Sequence, residues 1–142
     1  MKITFVCTGN TCRSPLAQAI AQKYVEDNNI DIEVDSAGLS CNYGAPMAEH
    51  TARIIEDLGI FFTHTSQPLT QKLADESDLI VTMEKWQKDA LQPVLGDKVV
   101  CMNDITFRGD VPDPYGGSYE TYLSVAKSLE ESIPLVINWA MN

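Results

Sequence analysis

The 142 residues are 44% hydrophobic and 21% charged, the composition of one ordinary globular domain, residues 1–142, long enough to bury a core. That excludes disordered tails, collagen-like repeats and disulfide-dense mini-folds. Ten Lys and Arg face 20 Asp and Glu, a formal net charge of −10. The basic residues are scattered from Lys2 to Lys127, so no nucleic acid and no anionic membrane surface is expected as a partner.

Lys2-Ile3-Thr4-Phe5-Val6 is β-branched and aromatic and predicts a first strand. Gly9-Asn10 breaks it. Ser14-Pro15 then opens a helix in which Leu16, Ala19, Ile20 and Tyr24 recur at helical spacing, to about Asn28. Ile32-Glu33-Val34 alternates as a second strand, followed by a turn-rich loop from Ala37 to Pro46. Helical spacing returns from Met47 to Leu58 and stops at Gly59.

A short helix precedes a third strand, Ser77–Met83. Another helix runs from Glu84 to about Leu91, and Lys98–Met102 is a fourth strand. Arg108–Gly117 is too dense in Pro and Gly for regular structure and predicts a long shaped loop. Beyond it Tyr119, Tyr122, Leu123, Ala126, Leu129 and Ile133 mark one face of a terminal helix, which Pro134 must kink or restart.

Strands alternating with helices predict an α/β, doubly wound parallel sheet with helices on both faces, whose ligands sit outside the carboxyl ends of the strands. Cys7–Ser14 and Arg108–Gly117 both follow strands and can meet at that edge. No apolar run reaches membrane-spanning length and the chain opens on a strand instead of a signal peptide, so a cytoplasmic protein is expected. Its four cysteines, Cys7, Cys12, Cys41 and Cys101, would there be kept reduced. The sequence carries no signature of a particular oligomeric state.

Cys7-Thr8-Gly9-Asn10-Thr11-Cys12-Arg13-Ser14 carries the chemistry. A cysteine ending a buried strand, before a tight loop and a helix N-terminus, lies beside inward-pointing N–H groups that favour the thiolate. The same N–H groups form a concave anion site, the local device that an anionic substrate needs against the repulsive global charge. Arg13 adds two parallel hydrogen bonds to phosphate oxygens. Gly9 allows close backbone approach, and Asn10 tolerates a left-handed conformation. Ser14 can donate its hydroxyl to the sulfur.

Rival readings of the loop fail on chemistry. A nucleotide P-loop ends in Lys then Ser or Thr, and no Lys lies between Lys2 and Lys23. Cys7 and Cys12 lack the spacing of a zinc pair, and His50 and His64 stand apart, so no metal and no cofactor is expected.

Val6-Cys7-Thr8-Gly9-Asn10-Thr11-Cys12-Arg13-Ser14-Pro15 resembles the phosphate loop of the low-molecular-weight protein-tyrosine-phosphatase family. Asp113-Pro114-Tyr115 is similar to the family's late Asp-Pro-aromatic signature. The resemblance spans the chain and implies a four-stranded parallel sheet and metal-free removal of phosphate from protein side chains. In that chemistry Cys7 attacks phosphorus, Arg13 and the loop amides hold its oxygens, and Asp113 protonates the leaving group. Asp110 is the fallback acid.

The resemblance implies phosphorylated proteins as partners. Phosphotyrosine-specific members resemble one another in a larger aliphatic residue where this chain has Thr11. Thr11, Thr8 and Gly116-Gly117-Ser118 are instead similar to the bacterial protein-arginine-phosphatase branch. Phosphoarginine is therefore expected ahead of phosphotyrosine. The alternative is an aromatic slot for phosphotyrosine formed by Tyr115 with Tyr43.

Two further classes are disfavoured. A thioredoxin-coupled arsenate reductase would need relay cysteines after the third strand, where Met83–Leu91 has none. A non-catalytic phosphopeptide-binding module would not need all three turnover groups. Cys12 can trap an oxidised Cys7 as a disulfide or serve as a small packing residue. Cys41 and Cys101 read as packing or solvent-facing residues.

Overall fold

The computed structural model describes Met1–Asn142. Four strands form one parallel sheet: β1 (Lys2–Cys7), β2 (Glu33–Gly38), β3 (Leu79–Thr82) and β4 (Val99–Cys101), in the order β2-β1-β3-β4. The connections are α1 (Arg13–Asp27), α2 (Glu49–Asp57), α3 (Gln71–Glu76) and α4 (Lys85–Leu95), with a 3-10 turn over Gly96–Lys98. After β4 come α5 (Met102–Thr106) and α6 (Tyr119–Met141).

β1 is central and buried on both faces, which is why its sequence reads as a continuous β-branched and aromatic run. Its alternate residues divide between two cores. Ile3, Phe5 and Cys7 join Leu16, Leu129 and Ile133 under α1 and α6, whereas Val6 meets Ile80, Val99 and Ala74 on the opposite face. The chain leaves β1 for β2 on one side and later returns to β3 on the other. The carboxyl end of β1 is therefore the point where strand order reverses, and a crevice opens there.

Several boundaries differ from the sequence expectation. β2 continues to Gly38, because Ala37 pairs with Val6 and Gly38 with Cys7; the residues read as loop line the end of the central strand. α2 starts at Glu49, two residues late. α4 runs through Pro93 to Leu95, since Leu91 and Leu95 pack on the smaller core, and it ends at Gly96 with φ of 81°. The short helix α5 was not expected. α6 does not restart at Pro134: buried Leu129, Ile133, Val136 and Ile137 carry one helix across the missing N–H.

Candidate active site

Cys7 ends β1 and Arg13 begins α1, so the loop between them turns once at the sheet edge. Four of its carbonyls are committed to the scaffold. Those of Cys7, Thr8 and Thr11 accept from the N–H groups of Leu39, Ser40 and Ala48 at 3.0, 2.9 and 2.9 Å. The Asn10 carbonyl meets His64 Nε2 at 2.8 Å. None of the N–H groups of Thr8–Cys12 donates to another group of the chain. A loop that commits its acceptors to the frame and leaves its donors free is built for an anion.

Asn10 holds that shape from behind. It has φ of 55°, the left-handed region that Asn tolerates, and is fully buried. Its amide donates to Ser14 Oγ at 2.8 Å and Ser36 Oγ at 3.1 Å, and its Oδ1 accepts from the Gln67 N–H at 2.9 Å. With one Ser14 lone pair filled by Asn10, the Ser14 hydroxyl proton has two acceptors in reach, Cys7 Sγ at 3.0 Å and the Ala37 carbonyl at 3.5 Å, and the sulfur is the nearer. The bond can stabilise a thiolate. The side chains of Asn10 and Ser14 are thus buried supports of the loop, and the cleft is lined by Cys7, Thr8, Gly9, Thr11, Cys12, Arg13, Asp113 and Tyr115.

Arg13 is 2% exposed. Its Nη1 donates to the Val111 carbonyl at 2.9 Å and pairs with Glu84 Oε2 at 3.0 Å, while Nη2 lies 3.8 Å from Asp113 Oδ2. Val111 in turn donates its N–H to the Met83 carbonyl at 2.9 Å, which pins the late loop to the end of β3. Asp113 Oδ1 accepts from the Tyr115 N–H at 3.1 Å, leaving Oδ2 directed toward Arg13. The side chain of Asp113 is about half exposed, so a proton on it can exchange with water. Asp110 is used otherwise: it accepts from the Lys85 N–H at the start of α4 at 3.1 Å.

Tyr115 reaches the cleft but Tyr43 does not. Gly44 and Ala45, next to it, are tied to Ser66 by bonds of 2.9 Å each, and the Tyr43 ring is exposed. Of the two tyrosines of the expected slot, the cleft lining includes Tyr115 alone. Cys12 is buried with its sulfur 3.5 Å from the Tyr122 hydroxyl, and all four cysteines are free thiols. Burial, then the bond to Cys12, pushes the Tyr122 hydroxyl up to about 12, so it stays protonated at neutral pH. Burial likewise raises the thiols of Cys41 and Cys101, which fits packing roles. No three His, Cys, Asp or Glu side chains gather to hold a metal ion.

Sequence reasoning missed Glu84, Gln87 and His64. Gln87 is fully buried, accepts from the N–H groups of Met83 and Glu84 at 3.0 and 2.9 Å, and donates to Thr8 Oγ1 at 3.2 Å. The start of α4 thus touches both ends of the loop. Nothing in local spacing marks these residues, because each meets the loop across many residues of sequence.

A family model described as low molecular weight phosphotyrosine protein phosphatase matches residues 2–139, and the chain belongs to that family. By that membership it is a cysteine-based protein phosphatase. The protein of Bacillus subtilis (strain 168) named protein-arginine-phosphatase is 35% identical over 136 residues, covering 92% of this chain and 91% of that protein. The low molecular weight protein-tyrosine-phosphatase PtpB of Staphylococcus haemolyticus (strain JCSC1435) is 35% identical over 132 residues, with coverage of 91% and 92%. The crystal structure of a YwlE mutant from Bacillus subtilis matches with a TM-score of 0.94 and 32% identity, over 100% of this chain and 99% of that one. A Cys-to-Ser mutant of the YwlE arginine phosphatase, bearing a phosphorylated active-site serine, also matches with a TM-score of 0.94, at 33% identity, over 100% and 97%.

Proposed function

We propose that residues 1–142 act as one cytoplasmic domain that removes phosphate from phosphorylated protein side chains, phosphoarginine ahead of phosphotyrosine. Cys7 is the nucleophile, Arg13 the phosphate clamp and Asp113 the proton carrier. The observation that carries this reading is the hydrogen-bond accounting of the loop, with four carbonyls bound to the scaffold, N–H groups of Thr8–Cys12 free, and Cys7 lining the cleft they share. No helix of the chain is long and apolar enough to cross a membrane, which agrees with a cytoplasmic location.

The Cys7 thiolate attacks phosphorus in line. An S–P bond forms as the P–N or P–O bond to the leaving group breaks, and Asp113 gives its proton to the departing guanidine or phenolate. Loop amides and Arg13 hold the equatorial oxygens while charge redistributes. Water then attacks phosphorus and yields a proton to Asp113; the S–P bond breaks, releasing inorganic phosphate. The Ser14 hydroxyl stabilises the sulfur as it departs.

Phosphoarginine is favoured by Thr11, whose small hydroxyl lines the cleft where a phenyl ring would gain from an aliphatic wall. Relatives named for arginine and for tyrosine phosphatase activity are equally identical to this chain, so phosphotyrosine is the second reading. Rates on phosphoarginine and phosphotyrosine peptides, under reducing conditions with chelator present, test the choice. Faster turnover of phosphoarginine is expected, and Thr11→Ile is expected to shift the ratio toward phosphotyrosine. An unchanged ratio would remove Thr11 from the account.

A further inference from the structure

We propose that Trp86 is a positioning residue for this reaction: its indole N–H fixes the Glu84 carboxylate, and Glu84 in turn determines where the Arg13 guanidinium rests. The inference is built on the phosphatase reading above. Trp86 Nε1 donates to Glu84 Oε2 at 3.0 Å, and the same oxygen pairs with Arg13 Nη1 at 3.0 Å. One carboxylate oxygen thus joins a surface indole to the buried cation of the phosphate cup.

Two carboxylates face Arg13. Glu84, before α4, is three-quarters buried and in close contact; Asp113, in the late loop, is half exposed and 3.8 Å away. A neutral anchor is present as well, the Val111 carbonyl, which accepts from Arg13 Nη1 at 2.9 Å. The other polar groups at the cleft are the thiols of Cys7 and Cys12 and the hydroxyls of Thr8, Thr11 and Tyr115, with the Tyr122 hydroxyl beside Cys12. The two acids are the charged partners of the guanidinium, so with Nη1 held by that carbonyl they decide how its charge is shared. A buried cation is held more strongly by the carboxylate with less water around it.

That division matters for the chemistry. Asp113 must carry a proton to the leaving group, and an Arg13 drawn against it would occupy the Oδ2 that faces the cleft. Glu84 engages the cation at the closer distance, and its side chain also meets the Gln87 N–H in the capping box that opens α4. The indole N–H adds a donor to the one Glu84 oxygen that meets Arg13, and so favours the rotamer that reaches it. Because the Trp86 ring is half exposed, water could satisfy that N–H equally well; the bond's consequence is therefore order in Glu84, and burial of the indole does not demand it.

Trp86→Phe keeps an aromatic ring while removing the donor, and at this half-exposed position the fold is retained. The variant is compared with the wild-type protein on a phosphoamino-acid peptide, whose leaving group needs a proton, and on an activated aryl phosphate, which needs less. Both comparisons are repeated in a Glu84→Ala background. A kcat loss of about five-fold on the peptide, a smaller loss on the aryl phosphate, and no further loss in Glu84→Ala would support the assignment. A wild-type rate in Trp86→Phe, equal losses on both substrates, or the same loss with Glu84 absent would overturn it. Wild-type protein that turns over neither substrate would instead sink the phosphatase reading, and this inference with it.

Discussion

Asn10 shows how much a single side chain can determine. It supplies the positive φ that turns the loop, two donated bonds and one accepted one, all without exposure to solvent. Alanine there would strain the backbone and strand Ser14, Ser36 and the Gln67 N–H. We expect Asn10→Ala to lose about 2–4 kcal/mol of stability and to lower kcat more than it raises KM, by chemical denaturation and steady-state rates. A variant that melts normally and turns over normally would show that the network is dispensable. Glycines at the same site divide by role. A Cβ on Gly9 would meet only Thr11 Oγ1, at 3.7 Å, so the chain's own packing leaves that space open. One on Gly38 would lie 2.8 Å from Cys41 Sγ and 2.9 Å from the Thr8 carbonyl. Gly9→Ala should therefore melt like the wild-type protein while raising KM, and Gly38→Ala should lose about 1–3 kcal/mol of stability; thermal melts and KM values distinguish the two.

At the scale of elements, the strap from α2 to α3 braces the loop through His64, which contacts the Asn10 carbonyl at 2.8 Å. The neutral ring must carry its proton on Nε2 to donate that bond. Burial lowers the His64 value below its ordinary 6.5, against smaller raising effects from the Asn10 carbonyl and Asp35. The unfolded chain therefore takes up a proton here before the folded one does. The stability that His64 contributes is complete above about pH 6.5 and is lost as pH falls through the lowered folded value. His64→Gln, whose amide donates at any pH, should lose less of its melting temperature between about pH 7 and pH 5 than the wild-type protein. Equal slopes would show that His64 is not the titrating group.

The reach of the sequence also follows from these elements. β1, the loop and α1 were legible because they are contiguous: a buried run, a cysteine and arginine at fixed spacing, and an amphipathic helix occupy residues 2–27. The Asp113 loop was legible from its breakers, and Tyr115 does join the cleft. What stayed hidden is non-local. Glu84 and Gln87 approach the loop only because β3 lies beside β1, and no local pattern separates Tyr115, which lines the cleft, from Tyr43, which does not. Asn10 as the left-handed turn and Ser14 as the neighbour of the sulfur were legible from residue type; the bonds that Asn10 makes to Ser36 and Gln67 were not, since residue type does not reveal which way a side chain turns.

For the molecule as a whole, a formal charge of −10 opposes an anionic substrate, so attraction is confined to the cup and Arg13. Screening should help: kcat/KM for a small aryl phosphate should rise about two-fold from ~10 mM to ~150 mM salt, and a lysine-rich phosphopeptide should show the reverse trend. Salt-independent rates on both would mean that the surface charge does not reach the site. The covalent step is the centre of the account, and it can be read directly by quenching the Asp113→Ala variant during turnover of an activated aryl phosphate and mapping the phosphate by mass spectrometry. Without the carboxylate to activate water, phosphate should accumulate on Cys7 and on no other residue. Turnover without a Cys7 adduct, or phosphate found on a different side chain, would contradict it.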